Sequence, residues 1–117
     1  MTRAVNAALW VKLTLPGVGQ IGPGKIELLR KIAELQSISA AARAMDMSYR
    51  RAWLLVDELN KLFDQPVVAK WQGGKSKGGA ALTKFGETLV ESYEQLVARA
   101  NDANRELLAE LGRRASR

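Results

Sequence analysis

Four consecutive residues carry the side chains best suited to recognition by hydrogen bonding: Ser48, Tyr49, Arg50 and Arg51. A serine directly before a helix can accept a hydrogen bond from a free backbone N–H, so Ser48 is predicted to be an N-cap. The next three side chains then project from the first turn of that helix. Because the guanidinium group presents a planar fork of donors, either Arg50 or Arg51 could pair bidentately with the O6 and N7 atoms of a guanine base.

Side chains that commonly perform catalysis are missing from the sequence. It contains no cysteine and no histidine, which removes thiol nucleophiles, zinc–thiolate sites and the commonest general base. Residues 69–76 match a relaxed Walker A pattern, but the Lys-Gly-Gly that follows is a poor start for the helix that a phosphate loop needs. We therefore predict that the chain is not an enzyme and that it has no metal site and no cofactor.

The charge of the chain indicates the class of its partner. The net charge is +6 at pH 7 and the isoelectric point is about 10.0, which favours a polyanion, nucleic acid first and an anionic membrane second. The apolar runs are short and interrupted by charges, so no membrane span is predicted. No signal peptide is evident at the N-terminus. The sequence predicts one domain over residues 1–117, located in the cytoplasm without a membrane partner.

The stretch from residue 37 to residue 56 predicts two helices around a tight corner. Ser39 is expected to cap a short helix over residues 40–45 and also to contact phosphate. Asp46 and Met47 form the corner, and the alanines before it are small enough to let the helices cross closely. This pattern predicts a helix-turn-helix, whose second helix enters the DNA major groove. An ordinary pair of core helices is the alternative.

Hydrophobic periodicity predicts the surrounding elements. Alternating apolar residues predict a half-buried N-terminal strand over residues 5–15, whose polar face is interrupted by Trp10 and is therefore expected to be covered in part by a partner. The glycine-rich residues 17–24 are expected to be a connector. From residue 25 the apolar spacing becomes helical, which predicts a three-helix core over residues 25–63. The core stripe of its third helix consists of Ala52, Leu55, Val56, Leu59, Leu62 and Phe63.

A second basic feature follows the third helix. β-branched and aromatic residues predict two short strands around a glycine-rich tip, which together form a wing over residues 67–82. Trp53 and Trp71 are expected to pack in the core or the wing rather than to stack on bases. A mobile, solvated loop is the alternative for the tip. The tip side chains expected to contact phosphate or the minor groove are Lys75, Ser76 and Lys77.

The last predicted element is a helix over residues 84–111, capped by Thr83. At 1.5 Å per residue it would be about 42 Å long. Since one small domain cannot cover the apolar stripe of so long a helix, we expect a two-fold homodimer. The predicted dimer interface consists of Leu9, Val11, Phe85, Leu89, Tyr93, Leu96, Ala100 and Leu107.

Five segments together carry a family resemblance. They are Ser-Ile-Ser-Ala-Ala-Ala-Arg at 37–43, Met-Ser-Tyr-Arg-Arg-Ala-Trp at 47–53, Glu-Leu-Asn at 58–60, Gly-Gly-Lys-Ser-Lys-Gly-Gly at 73–79 and Leu-Thr-Lys-Phe-Gly at 82–86. Over about residues 8–100 the chain resembles the N-terminal DNA-binding domain of ModE-type, molybdate-responsive transcription regulators. Its helix-turn-helix alone is also similar to that of the LysR type.

This resemblance implies a homodimer that binds palindromic operators through a winged helix. Full-length members also carry C-terminal molybdate-binding domains, for which 117 residues leave no room, so molybdate binding is not carried over to this chain. The expected fold is mainly α with a small β component, a winged helix-turn-helix with an N-terminal strand and a long C-terminal dimerisation helix. The expected function is sequence-specific binding of double-stranded DNA in transcriptional regulation. A protein-interaction module of the same fold and an oxyanion-sensing regulator are the alternatives.

Overall fold

The computed structural model describes residues 5–71 and 78–116. Two antiparallel hairpins, β1–β2 and β3–β4, accompany the helices. The mainly α fold class with a small β component and a winged helix-turn-helix is confirmed. The elements in chain order are β1 (Leu13–Leu15), β2 (Gly19–Ile21), α1 (Pro23–Leu35), α2 (Ile38–Ala44), α3 (Tyr49–Asn60), β3 (Val68–Trp71), β4 (Gly79–Leu82), α4 (Lys84–Ala103) and α5 (Arg105–Arg114).

The core lies where α1 contacts α2, α3, α4 and β4. From the predicted stripe of α3, Ala52, Val56 and Leu59 are fully buried, which confirms the helical spacing. In α1 the spacing of Ile26, Leu29 and Ile32 marks one buried face, and the leucine at position 28 is buried as well. The reason is that α1 is enclosed on several sides, so its buried face is wider than a single stripe.

The first helix of the helix-turn-helix begins earlier than predicted. Ser37, not Ser39, is the N-cap of α2, since its hydroxyl oxygen accepts a hydrogen bond of 3.0 Å from the backbone N–H of Ala40. Ile38 in the first turn is buried and anchors that turn in the core. The corner is formed as predicted: Asp46 adopts the left-handed conformation with φ of 57°, which aspartate tolerates better than most residues.

The N-terminal strand is much shorter than the predicted 5–15. Only Leu13–Leu15 forms a strand, and its partner Gly19–Ile21 lies within the predicted connector. Gly17, with φ of 79°, supplies the left-handed residue of the turn between them. Residues 5–12 are not in a strand. Alternating hydrophobicity carries no information about whether a neighbouring strand exists to pair with the segment.

Residues 5–12 run along α4 and α5 instead of along a sheet. The amide side chain of Asn101 accepts from Leu9 N at 2.7 Å and donates to Leu9 O at 3.2 Å. The Tyr93 hydroxyl donates to Val11 O at 2.5 Å, and Val5 N donates to a backbone carbonyl of α5. Side chains of a helix therefore satisfy the backbone groups that a sheet would otherwise satisfy.

The predicted single helix over 84–111 is wrong, because the chain breaks it into α4 and α5 at Asn104. This residue leaves helical geometry, and its side chain donates to Ala100 O at 2.7 Å. Asparagine competes for backbone hydrogen bonds in this way and so favours helix ends. Among the described residues, no helix has the length and apolar character to cross a membrane, and no group of three metal-ligating side chains occurs.

Candidate nucleic-acid interface

The geometry of α3 separates its two arginines. Ser48 caps the helix as predicted, because its hydroxyl oxygen accepts from Arg51 N at 3.1 Å. Successive side chains leave a helix about 100° apart. Counting from the buried residues of α3, Arg50 and Leu54 project directly away from the core, and both are exposed. Arg51 instead lies toward one flank of the helix.

The two flanks of α3 are fixed by contacts to other elements. On the flank of Arg51, the carboxylate of Glu58 forms an ion pair with Lys25 of α1. On the opposite flank, Asn60 bonds to the first residues of β3, and Tyr49 and Trp53 lie on that side by helical phase. Within the described ranges, neither Arg50 nor Arg51 forms an ion pair.

Asn60 joins α3 to the wing. Its side-chain oxygen accepts from Val67 N at 2.8 Å and from Val68 N at 2.9 Å, and its amide nitrogen donates to Val68 O at 3.0 Å. This role of Asn60 was not predicted from the sequence. An asparagine at the end of a helix and shortly before a predicted strand was the available signal.

The start of α4 closes the other side of the wing. The hydroxyl of Thr83 donates to Pro66 O at 2.8 Å and accepts from Gly86 N at 2.9 Å, so this side chain is both helix cap and link. A Cβ atom on Gly86 would overlap the backbone carbonyl of Val67. Glycine is therefore required for the close approach of α4 to the strand.

The predicted wing-tip residues Lys75, Ser76 and Lys77 lie outside the described residues, and their DNA contacts stay a prediction. The strands next to the tip contribute a cation that the sequence did not single out. The ammonium of Lys70 lies 4.8 Å from the centre of the Trp53 ring, which is a cation–π distance. Trp53 is 39% exposed and contacts Lys70 of β3, so of the two predicted environments, core or wing, it has the wing one.

Ser39 lines, together with Tyr49, the cleft between α2, α3 and the wing. Its hydroxyl oxygen accepts from the guanidinium of Arg43 at 3.0 Å, so Ser39 is held in place without being a cap. Five of the eight predicted DNA-contact residues thus lie on α2 or at the beginning of α3. They are Ser39, Ser48, Tyr49, Arg50 and Arg51.

The predicted dimer residues divide into three groups by their exposure. Leu89 and Tyr93 are buried within this chain, because α4 packs on α1; they complete the chain's own core. Burial also raises the pKa of the Tyr93 phenol. Of the others, Val11, Phe85 and Ala100 are half-buried. The exposed members are Leu9, Leu96 and Leu107.

An ion pair crosses the contact between α1 and α4. The guanidinium of Arg30 donates to the Glu94 carboxylate at 2.9 Å and to Glu27 at 3.1 Å. The hydrogen bond to Glu94 raises the pKa of Arg30 above its ordinary value. Both partners are partly exposed, so the pair orients α4 more than it stabilises the fold.

Comparison with known proteins identifies the class. The protein-family model of the bacterial regulatory helix-turn-helix proteins, lysR family, matches residues 24–87. These residues extend from α1 to the first turn of α4. A solved structure of a LysR family transcriptional regulator has a TM-score of 0.52 at 19% identity, over 71% of this chain and 27% of that chain. At that identity the likeness supports the fold alone.

Curated relatives confirm the resemblance to ModE-type regulators. The molybdenum-pterin-binding protein MopB of Rhodobacter capsulatus is 43% identical over 79 residues, which cover 68% of this chain and 29% of that protein. The DNA-binding transcriptional dual regulator ModE of Escherichia coli K12 is 40% identical over 63% of this chain and 28% of its own length. The regulator ModE of Haemophilus influenzae is 37% identical over 78% of this chain and 36% of its own length.

The chain thus spans about a third of the length of these relatives. Residues 24–87, which the family model matches, include the left-handed corner, the capped helix α3 and the two strands of the wing. The two ModE relatives are transcriptional regulators and the matched family consists of regulatory proteins rather than enzymes, in agreement with the prediction from the sequence. The chain belongs to the LysR family of bacterial regulatory helix-turn-helix proteins.

Proposed function

We propose that this chain binds palindromic double-stranded DNA operators as a homodimer and acts as a transcriptional regulator in the cytoplasm. The observation that carries this proposal is α3 itself. Ser48 caps it, the left-handed Asp46 sets its angle to α2, and Arg50 projects away from the core. A helix presented in this way can enter the major groove with its first turn against base edges.

Arg50 is the base-contacting arginine in this proposal. It lies opposite the buried face of α3, so it points to the floor of the groove when the helix enters it. Arg51 lies on the flank next to the α1–α3 ion pair of Glu58, which suits a phosphate at the wall of the groove. Ser39 and Tyr49 lie beside the first turn and are proposed as further phosphate contacts.

The test compares Arg50→Gln with Arg51→Gln on a selected duplex and on single-base variants of it. Loss of the bidentate pair at Arg50 should reduce discrimination at one base by roughly 1–3 kcal/mol. Loss of the phosphate contact at Arg51 should weaken all sequences equally and reduce the salt slope by about 1. Fluorescence anisotropy at several salt concentrations measures both quantities. Reduced discrimination in Arg51→Gln alone would contradict the assignment.

The exposed position of Leu54 on the same face favours a second candidate, a protein-interaction module of winged-helix fold. Charge reversal separates the two functions. Arg50→Glu should abolish duplex binding if α3 lies in the major groove, because a carboxylate would face guanine acceptors and phosphates. A module that binds protein through Leu54 predicts no duplex binding by the unmodified chain.

The proposed dimer surface combines the N-terminal segment, residues 5–12, with α4 and α5. Hydrogen bonds within the described chain use the backbone of Val5, Leu9 and Val11 on the side toward the helices. In this segment all residues except 7 and 11 are exposed. Trp10 is 80% exposed and Leu107 is 67% exposed, so a second copy would remove large apolar surfaces from water.

Sedimentation measures this dimer directly. Leu107→Lys should shift the chain toward monomer, because a charge would be buried in the interface. Val18→Lys is the matched control, since Val18 is similarly exposed but lies in the β1–β2 turn. A Leu107→Lys chain that remains dimeric at the same concentration would contradict this surface.

We propose that the chain needs no cofactor to bind DNA. Relatives named for molybdenum binding match it over under a third of their length, and molybdate sensing by this chain is the alternative. A ligand that binds the folded state raises thermal stability. Molybdate should leave the unfolding temperature unchanged, and a concentration-dependent increase would establish oxyanion sensing instead.

A further inference from the structure

A cleft of about 620 Å³ lies between the beginning of α2, the first turns of α3 and the base of the wing. It opens next to the base-contacting face of α3 but is not part of it, because Tyr49 and Trp53 occupy the flank of the helix toward β3. The described residues that line the cleft are Ser37, Ile38, Ser39, Tyr49, Trp53, Lys70, Trp71, Gly78 and Gly79.

The lining combines flat aromatic surfaces with one cation. Trp53 is 39% exposed and Trp71 is 49% exposed, although both rings could be buried in a protein of this size. Trp71 packs over Gly79, where a Cβ atom would overlap its ring. Lys70 is held over the ring of Trp53. The described lining includes no carboxylate, so its charge and shape suit an anionic ligand with a flat apolar part.

The hydroxyl groups of Ser37 and Ser39 also line the cleft and can bind an anionic ligand. The oxygen of Ser37 already accepts from Ala40 N, and the oxygen of Ser39 accepts from Arg43. Each O–H hydrogen is therefore available to donate. Hydroxyl donors and an ammonium together are the groups that proteins use to contact phosphate oxygens.

The position of the cleft selects the source of that phosphate. When α3 lies in the major groove and the wing lies beyond it, one strand of the duplex must pass between them. We propose that the cleft binds one sugar–phosphate strand of duplex DNA, with Lys70 bound to a phosphate and Trp53 and Trp71 packed against deoxyribose. This assignment rests on the proposed function. It adds three contact residues that lie outside the first turn of α3 and outside the wing tip.

The charge part is tested by the salt dependence of duplex binding. Each phosphate contact contributes about 0.9 to the slope of log affinity against log salt. Lys70→Gln should lower the slope by about that amount and weaken all duplexes on the order of tenfold at low salt. Lys31→Gln is the matched control, because Lys31 lies near glutamates on α1 outside the cleft, and it should leave the slope unchanged.

The aromatic part is tested by acrylamide quenching of tryptophan fluorescence. Duplex DNA should protect the unmodified chain from quenching, and protection should be smaller in Trp53→Phe and in Trp71→Phe. The double variant retains only Trp10 and should show no protection. Circular dichroism of each variant verifies that the wing is folded, so that lost protection reports on the contact itself.

The outcomes separate this inference from the proposed function. A chain that binds duplex DNA while Lys70→Gln leaves the slope unchanged would overturn the cleft assignment and leave DNA binding intact. A chain that binds no duplex at low salt would overturn both. Stronger protection by a single strand than by a duplex of equal length would also overturn the assignment, because stacked bases would then occupy the cleft.

Discussion

Replacement of Asn60 by alanine should detach the wing from α3. The substitution removes one acceptor that serves Val67 N and Val68 N and one donor that serves Val68 O. Val67 and Val68 are 0% and 2% exposed, so water does not readily replace these bonds. At about 1 kcal/mol for each bond, and more for a donor left buried, the loss is roughly 3 kcal/mol.

A loss of that size is a large part of the 5–15 kcal/mol that typically stabilises a domain. It corresponds to a decrease in unfolding temperature on the order of 10 °C for a chain of this length. Urea unfolding followed by circular dichroism measures the loss of unfolding free energy, and thermal unfolding measures the decrease in temperature. Asn104→Ala is the matched control, because Asn104 makes a single side-chain bond at the α4–α5 break and should cost about 1 kcal/mol. Equal losses for the two alanine variants would refute the special role of Asn60.

Three further predictions concern the contacts of α4. Gly86→Ala should destabilise the chain by roughly 1–3 kcal/mol in urea unfolding, because its Cβ would overlap the carbonyl of Val67; stabilisation would contradict this close approach. Because burial raises the pKa of Tyr93, stability should fall as pH rises from about 10 through the higher folded-state pKa, and Tyr93→Phe should remove that decrease. Arg30→Met should cost less than about 1 kcal/mol, because its pair with Glu94 is partly exposed; a much larger loss of unfolding free energy would show that the pair is structural.

The helix-turn-helix was predictable because its signals are local. Ser48 caps α3, and the apolar spacing of Ala52, Val56 and Leu59 identifies the buried face within a single segment. Such signals depend on neighbours three or four residues away. The choice between Ser37 and Ser39 as cap of α2 was decided by the burial of Ile38, which depends on the rest of the core.

The errors concern features that depend on distant parts of the chain. Residues 5–12 carry the alternation of a strand, but their hydrogen bonds go to Tyr93 and Asn101 of α4. Leu89 and Tyr93 follow the same apolar spacing as Leu96, yet only the first two are covered by the chain itself. A periodic stripe shows which face is apolar and does not show what covers it.

Only part of the candidate site could be predicted from the sequence, because some of its contacts join residues that are far apart in the chain. Arg50 and Arg51 were found by their position in the first turn of α3, but only the packing of α3 distinguishes their directions. Lys70 and Trp53 are 17 residues apart in sequence, and they meet because the fold, in part through Asn60, holds β3 against α3. No local pattern reports such a contact.

Selection of duplexes from a random pool by the purified chain tests the central claim most directly. A homodimer that places two copies of α3 in successive major grooves should enrich a palindrome with half-sites about 10 base pairs apart, or a multiple of that spacing. Binding of the enriched duplex should weaken steeply as salt increases. Failure to enrich any duplex at low salt would contradict the proposed function, and a single unpaired half-site would contradict the dimer.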